Sequence, residues 1–172
     1  EPAPEGEALP AWFEQIVASL ADGLSSMDVD DIWPTWAGPL PGAFYPRRAA
    51  QETAMHRWDA EPTPFDPAFA VDGVDEHLEL FAPLAPAAGF GGRTGTIHLH
   101  ATDVDGEAGE WLIHVTGEGI RFEHGHAKGD VALRGTASDL LLWIWNRVPV
   151  DDRFEVFGDT ALLDLWPSAV TI

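Results

Sequence analysis

The chain has no cysteine and a single lysine, Lys128, and its nine Lys and Arg residues face 29 Asp and Glu residues in a total of 172. Without cysteine there is no disulfide, no thiol nucleophile and no thiolate metal site, and redox chemistry leaves the compartment open. A formal net charge of -20 repels phosphate backbones and anionic membranes, so neither nucleic acid nor a membrane surface is an expected partner. The acidity itself is read as a solubility feature. No apolar run approaches the ~20 residues that span a bilayer. No charged stretch leads into an apolar one at the start, as a secretory signal would require. The expected location is the cytoplasm. What is present, 45% hydrophobic residues and eight tryptophans, predicts a packed globule with a real core.

Periodicity divides the chain in two. Leu9 to Met27 carries Phe13, Ile16, Val17, Leu20 and Leu24 on one stripe, the spacing of an amphipathic helix. Asp28 to Pro46, broken by four prolines and two glycines, reads as an ordered loop whose Trp33, Trp36, Phe44 and Tyr45 pack against something. A second helix fits Arg47 to Glu61 and a third begins at Pro67 and closes at Pro83. From Ala85 to Thr94 the composition turns to Ala, Gly and Pro, and afterwards the period drops to two. Thr96–Thr102, Glu110–Thr116, Gly119–Glu123, Asp130–Arg134 and Arg153–Phe157 read as strands. A strongly apolar helix, Ala137 to Arg147, is capped by Thr136 or Ser138, and a short one runs from Asp159 to Leu165. The expected fold is therefore α+β, with a helical part over 1–84 and an α+β part with a mostly antiparallel sheet over 85–172.

On a helix, Glu52 and His56 stand four residues apart on one face, with Asp59 a turn further along. Such a pair can aim a carboxylate oxygen and an imidazole nitrogen at one point, as metal sites in helical bundles do. It is equally the spacing of a solvated face, and Arg48 and Arg57 lie near enough to make plain ion pairs of both acids.

The wider segment Arg47-Arg48-Ala49-Ala50-Gln51-Glu52-Thr53-Ala54-Met55-His56-Arg57-Trp58-Asp59-Ala60-Glu61 resembles the last bundle helix of the mycothiol-dependent maleylpyruvate isomerase family, within the broader DinB/YfiT-like metalloenzyme group. The resemblance continues through Ile97-His98-Leu99-His100-Ala101-Thr102-Asp103, Gly109-Glu110-Trp111-Leu112 and Gly135 to Leu142. It extends to Phe157-Gly158-Asp159 and Leu162 to Trp166, in the family's order and separation. It implies a DinB-like four-helix bundle followed by a sterol-carrier-like domain. It also implies a divalent metal, usually zinc, held by a Glu-x-x-x-His pair and one His from an early helix. Glu52 and His56 match that pair by position. Upstream of Glu52 there is no histidine; Leu9 to Met27 matches the third bundle helix, and the first two have no counterpart within residues 1–172. That leaves three readings: a longer parent protein that carries them, a second copy or partner chain that supplies them, or a degenerate, non-catalytic member. Gln51 stands where the family suggests a further histidine. Arg147 matches an arginine that the family places near the active site, where a guanidinium would pair with an anionic substrate. Locally it also reads as a cation stabilised at a helix C-terminus.

The implied cofactors are a divalent metal and mycothiol. The metal would lower the pKa of the cofactor thiol. The thiolate would add to the double bond of maleylpyruvate and leave after rotation in an isomerase, or stay attached in a transferase. Three histidines, His98 and His100 on one strand and His114 on the next, share a face and make a chemically credible zinc set. Because His-Leu-His recurs in the family apart from the helical metal site, packing or hydrogen bonding is the preferred reading. His124 and His126 flank Gly125 in an expected exposed turn. The rival class is a binding or interaction module: a half-bundle with an exposed apolar face should dimerise or dock on a partner chain that completes it.

Overall fold

The computed structural model describes residues 2–171. The chain divides into two compact units, Glu1–Glu61 and Pro62–Ile172. In the first, helix α1 (Leu9–Ser25) and helix α2 (Phe44–Ala60) flank a two-stranded antiparallel ribbon, β1 (Ile32–Thr35) and β2 (Gly38–Pro41). The expected loop is thus a hairpin. Its prolines masked it, because proline cannot donate to a ladder; a ribbon of two edge strands tolerates them, with Pro34 opposite Pro39. The Thr35 hydroxyl donates to the Gly38 carbonyl at 2.6 Å, and the Tyr45 hydroxyl to that of Pro34 at 2.6 Å. The stripe foreseen on α1 is there and open to solvent: Phe13 is 60% exposed and Leu20 54%. On α2, Gln51 and Met55 are buried, while Glu52 and His56, one position further round, are exposed.

The second unit opens with helix α3 (Pro67–Leu80), started by Asp66, whose carboxylate accepts from the amides of Ala68 and Phe69, and by Pro67 at a first-turn position. The sequence reading grouped this helix with residues 1–84; here it packs along helix α4 (Ala137–Ile144) in the unit that holds the sheet. The five strands are β3 (Gly95–Ala101), β4 (Glu110–Thr116), β5 (Gly119–His124), β6 (Val131–Gly135) and β7 (Glu155–Gly158), in the order β5-β4-β3-β6-β7. Among the described residues only the central β3–β6 pair is parallel. The protein is therefore α+β with a mostly antiparallel sheet.

Alternation along the strands makes the sheet two-faced. Ile97, Leu99, Trp111, Ile113, Val131 and Leu133 are buried toward the core. Helix α4 is apolar all round and buried accordingly, from Leu140 to Ile144. Thr136 caps it by accepting from the Asp139 amide. It stops short of the expected Arg147 because Asn146 turns left-handed, with φ 58°, a conformation that ends helices. Helix α5 (Ala161–Ala169) closes the chain, its first free amide, that of Ala161, held by the Asp159 carboxylate. Among the described residues no helix is long and apolar enough to cross a membrane.

One surface contact staples the sheet. The Asp130 carboxylate accepts from both the amide and the hydroxyl of Thr96, each at 2.8 Å, and that hydroxyl accepts from the Asp130 amide at 2.9 Å. The Thr96 hydroxyl, then its amide, hold the Asp130 carboxyl below its ordinary value. A carboxyl lowered in the folded state contributes stability above its unfolded pKa of about 3.9 and loses it as pH falls through the folded value. Thermal unfolding of Asp130→Asn should therefore lie below wild type near neutral pH, with the two curves drawing together as pH falls below the unfolded pKa of about 3.9 and through the lowered folded value. An offset that stays constant across this range would refute the linkage.

Candidate functional site

Helix α2 delivers the expected pair. The Glu52 Oε1 atom lies 3.1 Å from His56 Nε2, and the other ring nitrogen, Nδ1, lies 3.1 Å from Asp59 Oδ2. Glu52 Oε2 is taken by Arg48, one turn back. Burial raises the Glu52 carboxyl, but the hydrogen bond and charge of Arg48, with those of His56, outweigh it and leave the group below its ordinary value. Glu52 is thus a carboxylate at neutral pH, with one oxygen turned to a histidine. A neutral imidazole has one N–H and one lone pair, so it can donate to only one of two flanking carboxylates. If the donor is Nδ1, held by Asp59, then the Nε2 lone pair and Glu52 Oε1 face one another across a gap that suits a cation. A carboxylate on the far nitrogen is the usual support for a metal-bound histidine. The pair fits a metal as two ligands, whereas a catalytic zinc normally has three from protein.

Arg147 follows α4 in the second unit, half-buried. Its guanidinium Nη1 donates to the Trp145 carbonyl at 3.2 Å, and its central carbon lies 6.0 Å from the Trp145 ring centre. Its backbone amide donates to the Leu142 carbonyl at 2.8 Å, three residues beyond the last residue of α4.

The sheet histidines assemble differently from the set read in the sequence. His98 and His100 share the open face, opposite Leu112 and Glu110 of β4. His114 shares that face too, but lies opposite Thr96 at the far end of the ladder and turns to Glu123, 3.2 Å away. Its place is taken by Glu110 and by His126, which the loop after β5 folds back over the sheet. The Glu110 carboxylate meets His98 Nε2 at 2.8 Å, His126 Nδ1 at 2.6 Å and His100 Nδ1 at 3.2 Å. The ring planes stand at 74° to 90° to one another. Burial lowers the His98 imidazole, and the neighbouring Glu110 restores only part of the shift. Burial raises the Glu110 carboxyl, yet hydrogen bonds from His126 and His98 bring it below its ordinary value. His124, expected to be exposed, is 40% so and lies 3.1 Å from Asp75, which also accepts from the Trp111 indole at 2.6 Å.

Glu110 and His126 escaped the sequence reading for one reason. Cross-strand register and a loop's return path join residues 98, 100, 110 and 126, and no local spacing encodes either. Glu110 directly opposite His100 was the one available signal, legible once β3 and β4 are paired as a hairpin.

Residues 1–61 match the Mycothiol maleylpyruvate isomerase N-terminal domain, and residues 68–165 match the MDMPI C-terminal domain. The chain belongs to the mycothiol maleylpyruvate isomerase family. No curated protein matches it in sequence. Among solved structures it is similar to the stereoselective inverting sec-alkylsulfatase Pisa1 from Pseudomonas sp., at 13% identity and a TM-score of 0.47, over 79% of this chain and 31% of that one. It is also similar to the UbiJ-SCP2 ubiquinone synthesis protein, at 16% identity and a TM-score of 0.42, over 62% of this chain and 95% of that one. A third is a conserved hypothetical protein, possibly a sterol carrier protein, from Thermus thermophilus, at 14% identity and a TM-score of 0.35, over 63% of this chain and 82% of that one. The chain spans less than a third of the length of the sulfatase.

Proposed function

We propose that the chain works as a cytoplasmic, metal-dependent enzyme using a thiol cofactor, similar to mycothiol-dependent maleylpyruvate isomerase or a mycothiol S-transferase. Glu52 and His56 are two of the metal's ligands, and Arg147 pairs with the anionic part of the substrate. The observation that carries this reading is the facing of Glu52 Oε1 and His56 Nε2 at 3.1 Å, with Asp59 on the other ring nitrogen. When bound, a zinc ion would supply Lewis acidity and lower the pKa of a coordinated thiol. Asp59 fixes the imidazole tautomer and ring orientation. Arg48 holds one Glu52 oxygen and so directs the other. Arg147, steadied by the Trp145 carbonyl, offers a guanidinium suited to bidentate pairing with a carboxylate. A chain without cysteine is suited to chemistry in which the reacting sulfur arrives with the cofactor.

The exposed Phe13, Ile16, Val17 and Leu20 stripe on α1 favours a second element of the proposal. Further helices, from a longer form of this chain, a second copy or a partner chain, cover this face, complete the bundle and contribute the third ligand. The test is mycothiol-dependent conversion of maleylpyruvate, measured with metal content and with molar mass by light scattering. Removing an outer-shell partner of a metal commonly costs 10–100-fold, so Glu52→Ala should lower kcat/KM by roughly 100-fold or more. Turnover that proceeds without mycothiol, or is unchanged in Glu52→Ala, would sink the reading. Activity in a purely monomeric sample would sink the partner element alone.

A further inference from the structure

We propose that His98, His100, Glu110 and His126 form a second, independent metal site, a four-ligand centre for a divalent transition metal on the open face of the sheet. The four side chains each bring a ligand atom to within 4.8 Å of all the others. The donor set, three imidazoles and one carboxylate, is one that zinc accepts in tetrahedral coordination. Zinc-to-ligand bonds of about 2.0–2.1 Å place tetrahedral ligand atoms roughly 3.3 Å apart. The contacts to Glu110, 2.6 to 3.2 Å, therefore need to open by less than about 1 Å to admit the ion.

The environment supports the assignment. Three imidazole nitrogens converge on one carboxylate, and His98 is only 7% exposed. Imidazole planes near right angles point three nitrogens inward from separate directions. A cavity of about 320 Å³, lined in part by His98, His126, Gly129 and Phe157, opens beside the cluster and provides a path for the ion. With four protein ligands the centre has no open position, which marks it as structural rather than catalytic. Its mechanical effect is specific: His126 is the only ligand from the 125–130 loop, so the ion ties that loop to β3 and β4. The site stands apart from the proposal for Glu52 and His56, and shares no residue with it.

Untagged protein, stripped by chelator dialysis, is titrated with Co²⁺, whose visible absorption is intense in tetrahedral sites, and then with Zn²⁺ in competition. Wild type should take up cobalt with a tetrahedral spectrum, and zinc should displace it. His126→Ala and His100→Ala should each weaken cobalt binding by roughly 100-fold or more. His126 is 77% exposed and His100 27%, so these variants should fold, as circular dichroism would verify. The double variant Glu52→Ala/His56→Ala should keep the tetrahedral cobalt signal. Unchanged cobalt binding in both His126→Ala and His100→Ala, no tetrahedral signal in wild type, or loss of the signal in the Glu52/His56 variant would each overturn the proposal. The last result alone would assign the bound metal to helix α2 and leave the function proposed above standing.

Discussion

Trp166→Ala should destabilise the second unit by about 3–5 kcal/mol, a large share of the 5–15 kcal/mol that keeps a typical domain folded. Trp166 is fully buried and is the residue through which α5 is locked to α4. Its ring lies 5.4 Å from that of Trp143 and 6.2 Å from that of Phe90. Its indole N–H donates to the Ile144 carbonyl at 3.2 Å. Ile144 ends α4, where carbonyls have no partner within the helix, so the indole both fills the core and satisfies an orphan acceptor. Alanine removes the ring, opens a cavity among aromatic neighbours too rigid to collapse into it, and strands that carbonyl. Trp166→Phe keeps most of the volume and should lose only about 1–2 kcal/mol, chiefly the hydrogen bond. Urea unfolding followed by far-ultraviolet circular dichroism would measure both. A loss below about 1 kcal/mol for the alanine variant would mean the α4–α5 packing is not as tight as described.

Gly158→Ala should cost roughly 2–5 kcal/mol, through two effects that add. Gly158 adopts φ +100°, which side chains rarely tolerate, and a Cβ there would lie 2.1 Å from the Asp130 carbonyl oxygen and 3.1 Å from Val131 Cα. Both obstacles are backbone atoms of β6 or the residue before it, so no rotamer change relieves the overlap. Gly106 separates the two effects: its φ is +73° and nothing lies within 4 Å of an added Cβ. Gly106→Ala should therefore cost only the conformational part, about 1 kcal/mol. Equal losses in the two variants would show that the close approach at Gly158 is absent in solution. The Phe157-Gly158-Asp159 block, one carrier of the family resemblance, has its physical reason here. β7 can pair with β6 at Val131 only where the chain offers no side chain.

Most of the fold was legible because its signals are local. The period-two alternation gave β4 its observed bounds, Glu110 to Thr116, and Pro67 marked the start of α3. The ribbon at 32–41 was not legible, since Pro34, Pro39 and Pro41 argue against strands unless both are edges. The α2 pair was also local: four residues apart on a helix, Glu52 and His56 meet whatever the rest of the chain does.

The boundary between the two kinds of information runs through the histidines. Residue order alone made the chain α+β, set His98 and His100 on one face of a strand, and put Glu52, His56 and Asp59 on one face of a helix. These follow from repeats of two and 3.6 residues that each element carries within itself. Only the folded chain could choose Glu110 and His126 over His114 as their companions. That choice rests on which β4 residue stands opposite His100 and on where the loop after β5 returns. Both are set by sheet register and packing, contacts between residues up to 28 positions apart, which leave no periodic trace.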